Sequence, residues 1–167
     1  TVADFNSDGK IDLAVPNFNS NSISILMGTG TGSFLPQVSY TTGNNPTSLS
    51  ASDFNGDGHI DLAITIGGSN YISIKLGNAA GTFTSTVDFI TYTGPYASVV
   101  SDFNNDGSID LACGNVAGSP DNVSVLMGKG DGTFSAHTNY TVGPNPYSVI
   151  SADFNSDGNN DIAVTNQ

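Results

Sequence analysis

Apolar and polar residues alternate along most of this chain, and glycine-rich turns break the alternation at regular intervals. Ile11, Leu13 and Val15 form one series. Ile60, Leu62 and Ile64, then Ile109, Leu111 and Cys113, are its counterparts, with a shorter echo in Ile162 and Val164. A second series runs through Ile23, Ile25, Met27, then Ile72, Ile74, Leu76, then Val123, Val125, Met127, with Ser or Lys between. A period of two in β-branched residues predicts strands, not helices. No stretch has a helical period. Two weaker strands complete each unit. One is read in Ser48–Ser52, Ser98–Ser101 and Ser148–Ala152, of which only Thr1-Val2-Ala3 remains at the start. The other is read around Val38-Ser39-Tyr40, Val87–Ile90 and Thr138-Asn139-Tyr140.

The units are repeats. The pattern D-x-N-x-D-G-x-x-D begins at Asp4, Asp53, Asp102 and Asp153, at intervals of 49, 49 and 51 residues. The two extra residues lie within 114–122, between the second and third predicted strands. A Gly-x-Phe follows the third strand at Phe34, Phe83 and Phe134, and Gly/Pro links join the units at 43–46, 94–95 and 143–146. Four strands in about 50 residues predict an all-β fold of β-propeller blades, each a four-stranded antiparallel sheet. The 167 residues read as one domain with repeats at about 1–45, 46–94, 95–145 and a partial one at 146–167. Three and a half blades fall short of the usual ~4–8. The expectation is therefore a partial propeller, cut from a longer chain or closed by association through its open edges. Asn160 replaces the Ile of its counterparts, so the last unit is expected to be edge-like.

Charge is confined to the loops. The chain has 15 Asp, no Glu, three Lys and no Arg, and 12 of the Asp fall in the four D-x-N-x-D-G-x-x-D segments. The acidity is therefore ligand-like, not a solvated tail. With Lys10, Lys75 and Lys129 as its only basic side chains besides two His, the chain is no partner for nucleic-acid phosphates. The single Cys113 allows no internal disulfide and reads as a buried apolar residue. No signal peptide or membrane segment is found.

The loops predict up to four Ca²⁺ ions, one each. Oxygen-only donors favour a hard cation, and Ca²⁺ tolerates irregular geometry better than Mg²⁺. The predicted donors are Asp4, Asn6, Asp8, Asp12 with the carbonyl of Lys10; Asp53, Asn55, Asp57, Asp61 with His59; Asp102, Asn104, Asp106, Asp110 with Ser108; and Asp153, Asn155, Asp157, Asp161 with Asn159. The glycine at the sixth position (Gly9, Gly58, Gly107, Gly158) makes the sharp turn. The twelfth position of an EF-hand loop needs Glu; here it is Val15, Ile64, Cys113 and Val164, and the flanks are strands. EF-hands are excluded. Asx-rich turns without an ion would leave clustered carboxylates to repel one another.

Loop pattern, period and Gly-x-Phe together resemble the FG-GAP/VCBS repeats of integrin α-subunit-type β-propellers, over essentially the whole chain. The resemblance implies a calcium loop between the first and second strands of each blade, held by the residues named above, and commonly seven blades. It implies a calcium-binding recognition or adhesion module, extracellular or at the cell surface. Its protein or carbohydrate ligand would contact the face opposite the loops. Candidates there are Asn17-Phe18-Asn19, Ser69-Asn70, Ser119-Pro120-Asp121, Tyr96 and Tyr147. The alternative is the non-catalytic propeller part of a secreted carbohydrate- or lipid-cleaving enzyme. No catalytic residue is predicted: the three Asp outside the loops lie in different repeats, and only His59 and His137 offer imidazole. Asn122-Val123-Ser124 and Asn139-Tyr140-Thr141 match glycosylation sequons.

Overall fold

The computed structural model describes all 167 residues and is all-β apart from one 3₁₀ turn, Phe18–Ser20. Fourteen strands form three four-stranded antiparallel sheets and a final pair. The first blade is β1 (Val2–Ala3), β2 (Asp12–Asn17), β3 (Ser22–Leu26) and β4 (Val38–Thr41). The second is β5 (Pro46–Ser52), β6 (Asp61–Ile66), β7 (Tyr71–Leu76) and β8 (Ser85–Ile90). The third is β9 (Pro95–Ser101), β10 (Asp110–Asn115), β11 (Asn122–Leu126) and β12 (Thr138–Thr141). The last two strands are β13 (Pro146–Ala152) and β14 (Asp161–Asn166), whose outer edge is unpaired.

In each blade the strands follow in chain order, so the acidic loops and the Gly-x-Phe turns share one end. The second-to-third connections and the inter-blade links share the other. Adjacent blades pack face to face, with β5, β9 and β13 side by side at the inner edge. Serines lie between these inner strands: the Ser98 amide donates to Ser48 Oγ at 3.3 Å, and Ser50 Oγ donates to the Ser98 carbonyl at 3.2 Å.

Alternation has a different meaning in the middle of this row than at its ends. Every residue of β6 and β10 is buried, because each strand has a blade on both sides. Leu62, Ile64 and Ile66 pack with Ile23 and Ile25 of the first blade, while Ala63 packs with Leu111 and Cys113 of the third. On β2, by contrast, Val15 is exposed. Three expectations need correction. Ile11, Ile60 and Ile109 belong to the loops, not the strands, which begin one residue later at Asp12, Asp61 and Asp110. Ile11 is exposed, and the Ile11, Ile60 and Ile109 carbonyls instead pack beneath Gly28, Gly77 and Gly128. A Cβ on those glycines would come within 2.1 Å of the carbonyl oxygen. Residues 18–20 hold a helical turn too short to have a sequence period. Asn122 is buried and hydrogen-bonded to Asn115, so that sequon is not free to carry a glycan.

Candidate metal loops and the opposite face

The four acidic loops share one backbone scheme. The first Asp accepts at least two amides: Asp8 and Gly9 donate to Asp4 at 3.1 and 2.7 Å, and Asp57 and Gly58 to Asp53 at 3.2 and 2.8 Å, with Gly56 as a third donor to Asp53 at 2.8 Å. Asp106 and Gly107 donate to Asp102 at 3.2 and 2.8 Å, Asp157 and Gly158 to Asp153 at 3.1 and 2.9 Å. The Asn at position three accepts the position-five amide, as Asn6, Asn55, Asn104 and Asn155 all do. The Asp at position five accepts the amide of position seven: Lys10, His59, Ser108 and Asn159 donate to Asp8, Asp57, Asp106 and Asp157 at 2.8–2.9 Å. The sixth-position glycines all have positive φ, from 81° to 88°. No Cβ clash enforces glycine there; the left-handed backbone does.

The ninth-position Asp does a different job. Asp12, Asp61 and Asp110 are fully buried. One oxygen of each accepts the amide of the loop Phe (Phe5, Phe54, Phe103), and the other accepts the amide of Gly28, Gly77 or Gly128 across the blade, at 2.7–2.9 Å. This residue ties the first hairpin to the second. Asp161 keeps only the Phe154 contact, at 3.1 Å.

Ionisation follows these partners. Hydrogen bonds from Asn55 and the His59 amide hold Asp57 below the ordinary carboxylate range, and the Ser108 amide with Asn104 does the same for Asp106. The Asn159 amide and Asn155 lower Asp157, the Gly158 amide lowers Asp153, and the Lys10 ammonium, 2.9 Å from Asp8, lowers Asp8. Burial instead raises Asp61 and Asp110, outweighing their backbone donors. His59 Nδ1 is buried without a hydrogen-bond partner.

The donor set fits a hard divalent cation by its chemistry, with three carboxylates, one carboxamide and no sulfur in each loop. The residues are brought together within each loop, but no three carboxylate or imidazole groups form a ready-made cluster. The Asn55, Asn104 and Asn155 amide nitrogens face Asp57, Asp106 and Asp157, so these carboxamides would have to turn to offer oxygen. The Phe at the second loop position packs beneath its loop in the first two blades, where Phe5 and Phe54 are 1% and 3% exposed, but Phe103 is only half-buried and Phe154 is 54% exposed.

At the opposite end, several candidate contact residues are structural. Asn21, Asn70 and Asp121 accept the backbone amides of Asn45, Gly94 and Asn145, at 2.9, 3.2 and 2.7 Å, and so pin each inter-blade link. Donor and acceptor both recur at the spacing of the repeats, a signal present in the sequence but masked by the variable Asn/Asp/Gly identities. Asn17 turns to Ser22 and Ser24. Phe18, Tyr96 and Tyr147 remain exposed. His137 Nδ1 pairs with Asn139, and Cys113 is fully buried, its thiol pushed up to about 12 by burial. No helix is long and apolar enough to cross a membrane.

A family profile described as FG-GAP-like repeat matches residues 4–64, 53–113 and 102–164. No curated protein sequence matches the chain. Among solved structures, a lectin of Agrocybe aegerita, reported with specific recognition of non-reducing terminal N-acetylglucosamine, is similar at 20% identity and a TM-score of 0.67. The match covers 98% of this chain and 45% of the lectin. The Vibrio cholerae biofilm matrix protein Bap1 is similar at 23% identity and a TM-score of 0.55, over 97% of this chain and 26% of that one. The chain thus spans less than half the length of either.

Proposed function

From the premise that the chain belongs to the FG-GAP-like repeat family, we propose that it is a calcium-stabilised, non-catalytic binding module that works outside the cell. The observation that carries this reading is the ninth-position Asp. In three blades it is buried and joins the acidic loop to the far side of its own sheet, so anything that orders the loop also orders the blade. Asp4, Asn6, Asp8 and Asp12, with the Lys10 carbonyl, would hold the first ion, and the matching residues of the other loops the rest. A bound Ca²⁺ would supply positive charge to the three carboxylates of each loop, taking the formal net charge from −12 to −4 for four ions. Extracellular calcium suits such loops, because sites in extracellular modules bind at about 10⁻⁴–10⁻³ M.

Recognition belongs to the opposite end, where the exposed aromatic and amide groups lie. The lectin and matrix-protein likenesses are compatible with a carbohydrate or protein ligand there. Calcium titration by calorimetry tests the metal part. Four sites, with one lost in each of Asp8→Ala, Asp57→Ala, Asp106→Ala and Asp157→Ala, is the expected result. Heat of binding that is absent, or unchanged by these variants, rejects it.

A further inference from the structure

Both ends of the blades carry exposed aromatic side chains, Phe34 and Phe154 at the loop end being 40% and 54% exposed. At the loop end Phe5, Phe54, Phe83 and Phe134 are buried between sheets. At the opposite end Phe18 and Tyr96 are 51% and 40% exposed. They stand on two walls of one cleft of about 270 Å³ that runs across three successive blades. Gly67 and Gly68, from the β6–β7 connection, line it between them, with Val116 and Ala117 beyond. Its size falls just below the ~300–1,000 Å³ typical of small-molecule sites, which limits it to one ring-sized ligand.

The cleft is held in shape by backbone. Gly67 and Gly68 donate to the Asn45 and Asn44 carbonyls at 2.9 and 3.0 Å, and Val116 donates to the Gly94 carbonyl at 2.9 Å. A Cβ on Gly68 would lie 2.7 Å from the Asn44 carbonyl oxygen and 2.8 Å from Asn45 Oδ1, so the connection can only be this low. Asn45 Nδ2 donates to the Phe18 carbonyl at 3.2 Å, which turns the carboxamide and leaves Oδ1 to accept. Tyr96 is braced edge-on by Tyr147, with ring centroids 5.0 Å apart and planes at 90°. A braced ring loses little freedom when a ligand covers it.

The lining carries no charged side chain. The chain has only three Lys and no Arg, and none of them lines the cleft, which leaves no cation to pair with a phosphorylated or acidic ligand. A ligand matched to this cleft is uncharged, ring-shaped, apolar on the face that meets Tyr96 or Phe18, and rich in hydroxyl or amide donors at its edge. We propose that the cleft between Phe18 and Tyr96 binds one residue of a neutral saccharide. The proposal rests on the reading of the chain as a binding module, but not on its calcium loops, which lie at the other end of the strands.

The test is titration of the calcium-saturated protein with N-acetylglucosamine, glucose, galactose and mannose, with glucuronate as the charged comparison, followed by amide NMR shifts. The expected result is saturable binding of at least one neutral sugar. Its largest shifts should fall at Gly67, Gly68, Gly94 and Ala117, and glucuronate should bind more weakly. Tyr96→Ala should weaken it about tenfold or more, as loss of a central aromatic contact does, while Tyr96→Phe retains it. Melting temperatures of both variants separate lost binding from lost folding, and Phe18→Ala gives a second test on the other wall. Saturable binding with shifts elsewhere, or binding indifferent to Tyr96→Ala and Phe18→Ala, overturns this site while keeping the module reading. No binding by any of the neutral sugars overturns the saccharide assignment. A cleft that works in a protein whose loops bind no calcium upholds the site and rejects only the metal.

Discussion

The junction between the first two blades and the outer face of the third are built from equivalent residues, yet one is closed and the other open. In the closed junction Phe83 enters edge-on against Phe5 and Tyr40, with both centroid distances 5.7 Å. The next junction repeats this with Phe134 against Phe54 and Phe89, at 5.6 and 5.2 Å. On the third blade Phe103 and Tyr140 stand where Phe5 and Tyr40 do, but no Gly-x-Phe turn reaches them. A groove of about 370 Å³ remains, lined by Val123, Val125, Met127, Tyr140 and Ile162 among others, with Asn160 at its polar edge. At the other end of the row the equivalent Phe34 is exposed. A single blade therefore does not finish its own core. The Phe of each turn packs against the loop Phe of the blade before it, as Phe83 does on Phe5 and Phe134 on Phe54.

The largest contrast is expected from removing the loop Phe itself. Phe54→Ala should cost about 3–5 kcal/mol, the usual loss for a buried Phe, whereas Phe154→Ala, at a position 54% exposed, should stay within about 0.5 kcal/mol. Chemical denaturation of the two variants makes the comparison, and equal losses would show that the junctions do not differ as described. Next in size is the buried Asp. Asp61→Asn keeps one acceptor for two buried amides, Phe54 and Gly77, and should cost about 1–3 kcal/mol. Asp161→Asn, with a single amide on an exposed loop, should cost less than about 1 kcal/mol.

A finer contrast lies in proton binding by the chelated protein. Burial raises Asp61 and Asp110, so the folded state holds these protons more tightly than the unfolded chain. Their contribution to stability grows as pH falls through the raised folded pKa and is lost as pH rises through it. Asp57 and Asp106 are lowered, so their contribution is present above the ordinary Asp pKa of about 3.9 and is lost as pH falls through their own. Carboxyl carbon shifts in an acid titration should therefore place Asp57 and Asp106 below Asp61 and Asp110. The reverse order would refute the burial argument. Smallest is the effect of the free edge of β14. Unpaired strand edges favour pairing with another chain. Sedimentation should show weak, concentration-dependent association, and a monomer at every concentration would count against it.

Much of this was legible in the residues alone. Period-two alternation located the strands, and the recurrence of Asp-x-Asn-x-Asp-Gly located the loops, because strand faces and left-handed turns restrict side-chain choice at every repeat. Ile11, Ile60 and Ile109 misled because they keep the strand's alternation while sitting in the loop. Their requirement is the carbonyl beneath Gly28, Gly77 and Gly128, which leaves no mark on the Ile itself. The pinning of the links by Asn21, Asn70 and Asp121 was hidden for a similar reason, since either Asn or Asp accepts an amide equally well. Equivalent Phe residues differ in burial only through their neighbours, so the difference between Phe54 and Phe154 could not be read at either position. The ninth Asp was legible as a carboxylate but not as a tie between hairpins, because its second partner lies 16 or 18 residues further along.

Thermal unfolding in excess calcium, in excess magnesium and after chelation tests the central claim most directly. Ions held only by the folded chain raise its stability by mass action, and four loops add their contributions. The account predicts a large rise in melting temperature with calcium, a smaller one with magnesium, and loss of both on chelation. A melting temperature indifferent to calcium would contradict it, leaving loops ordered by their own amides alone.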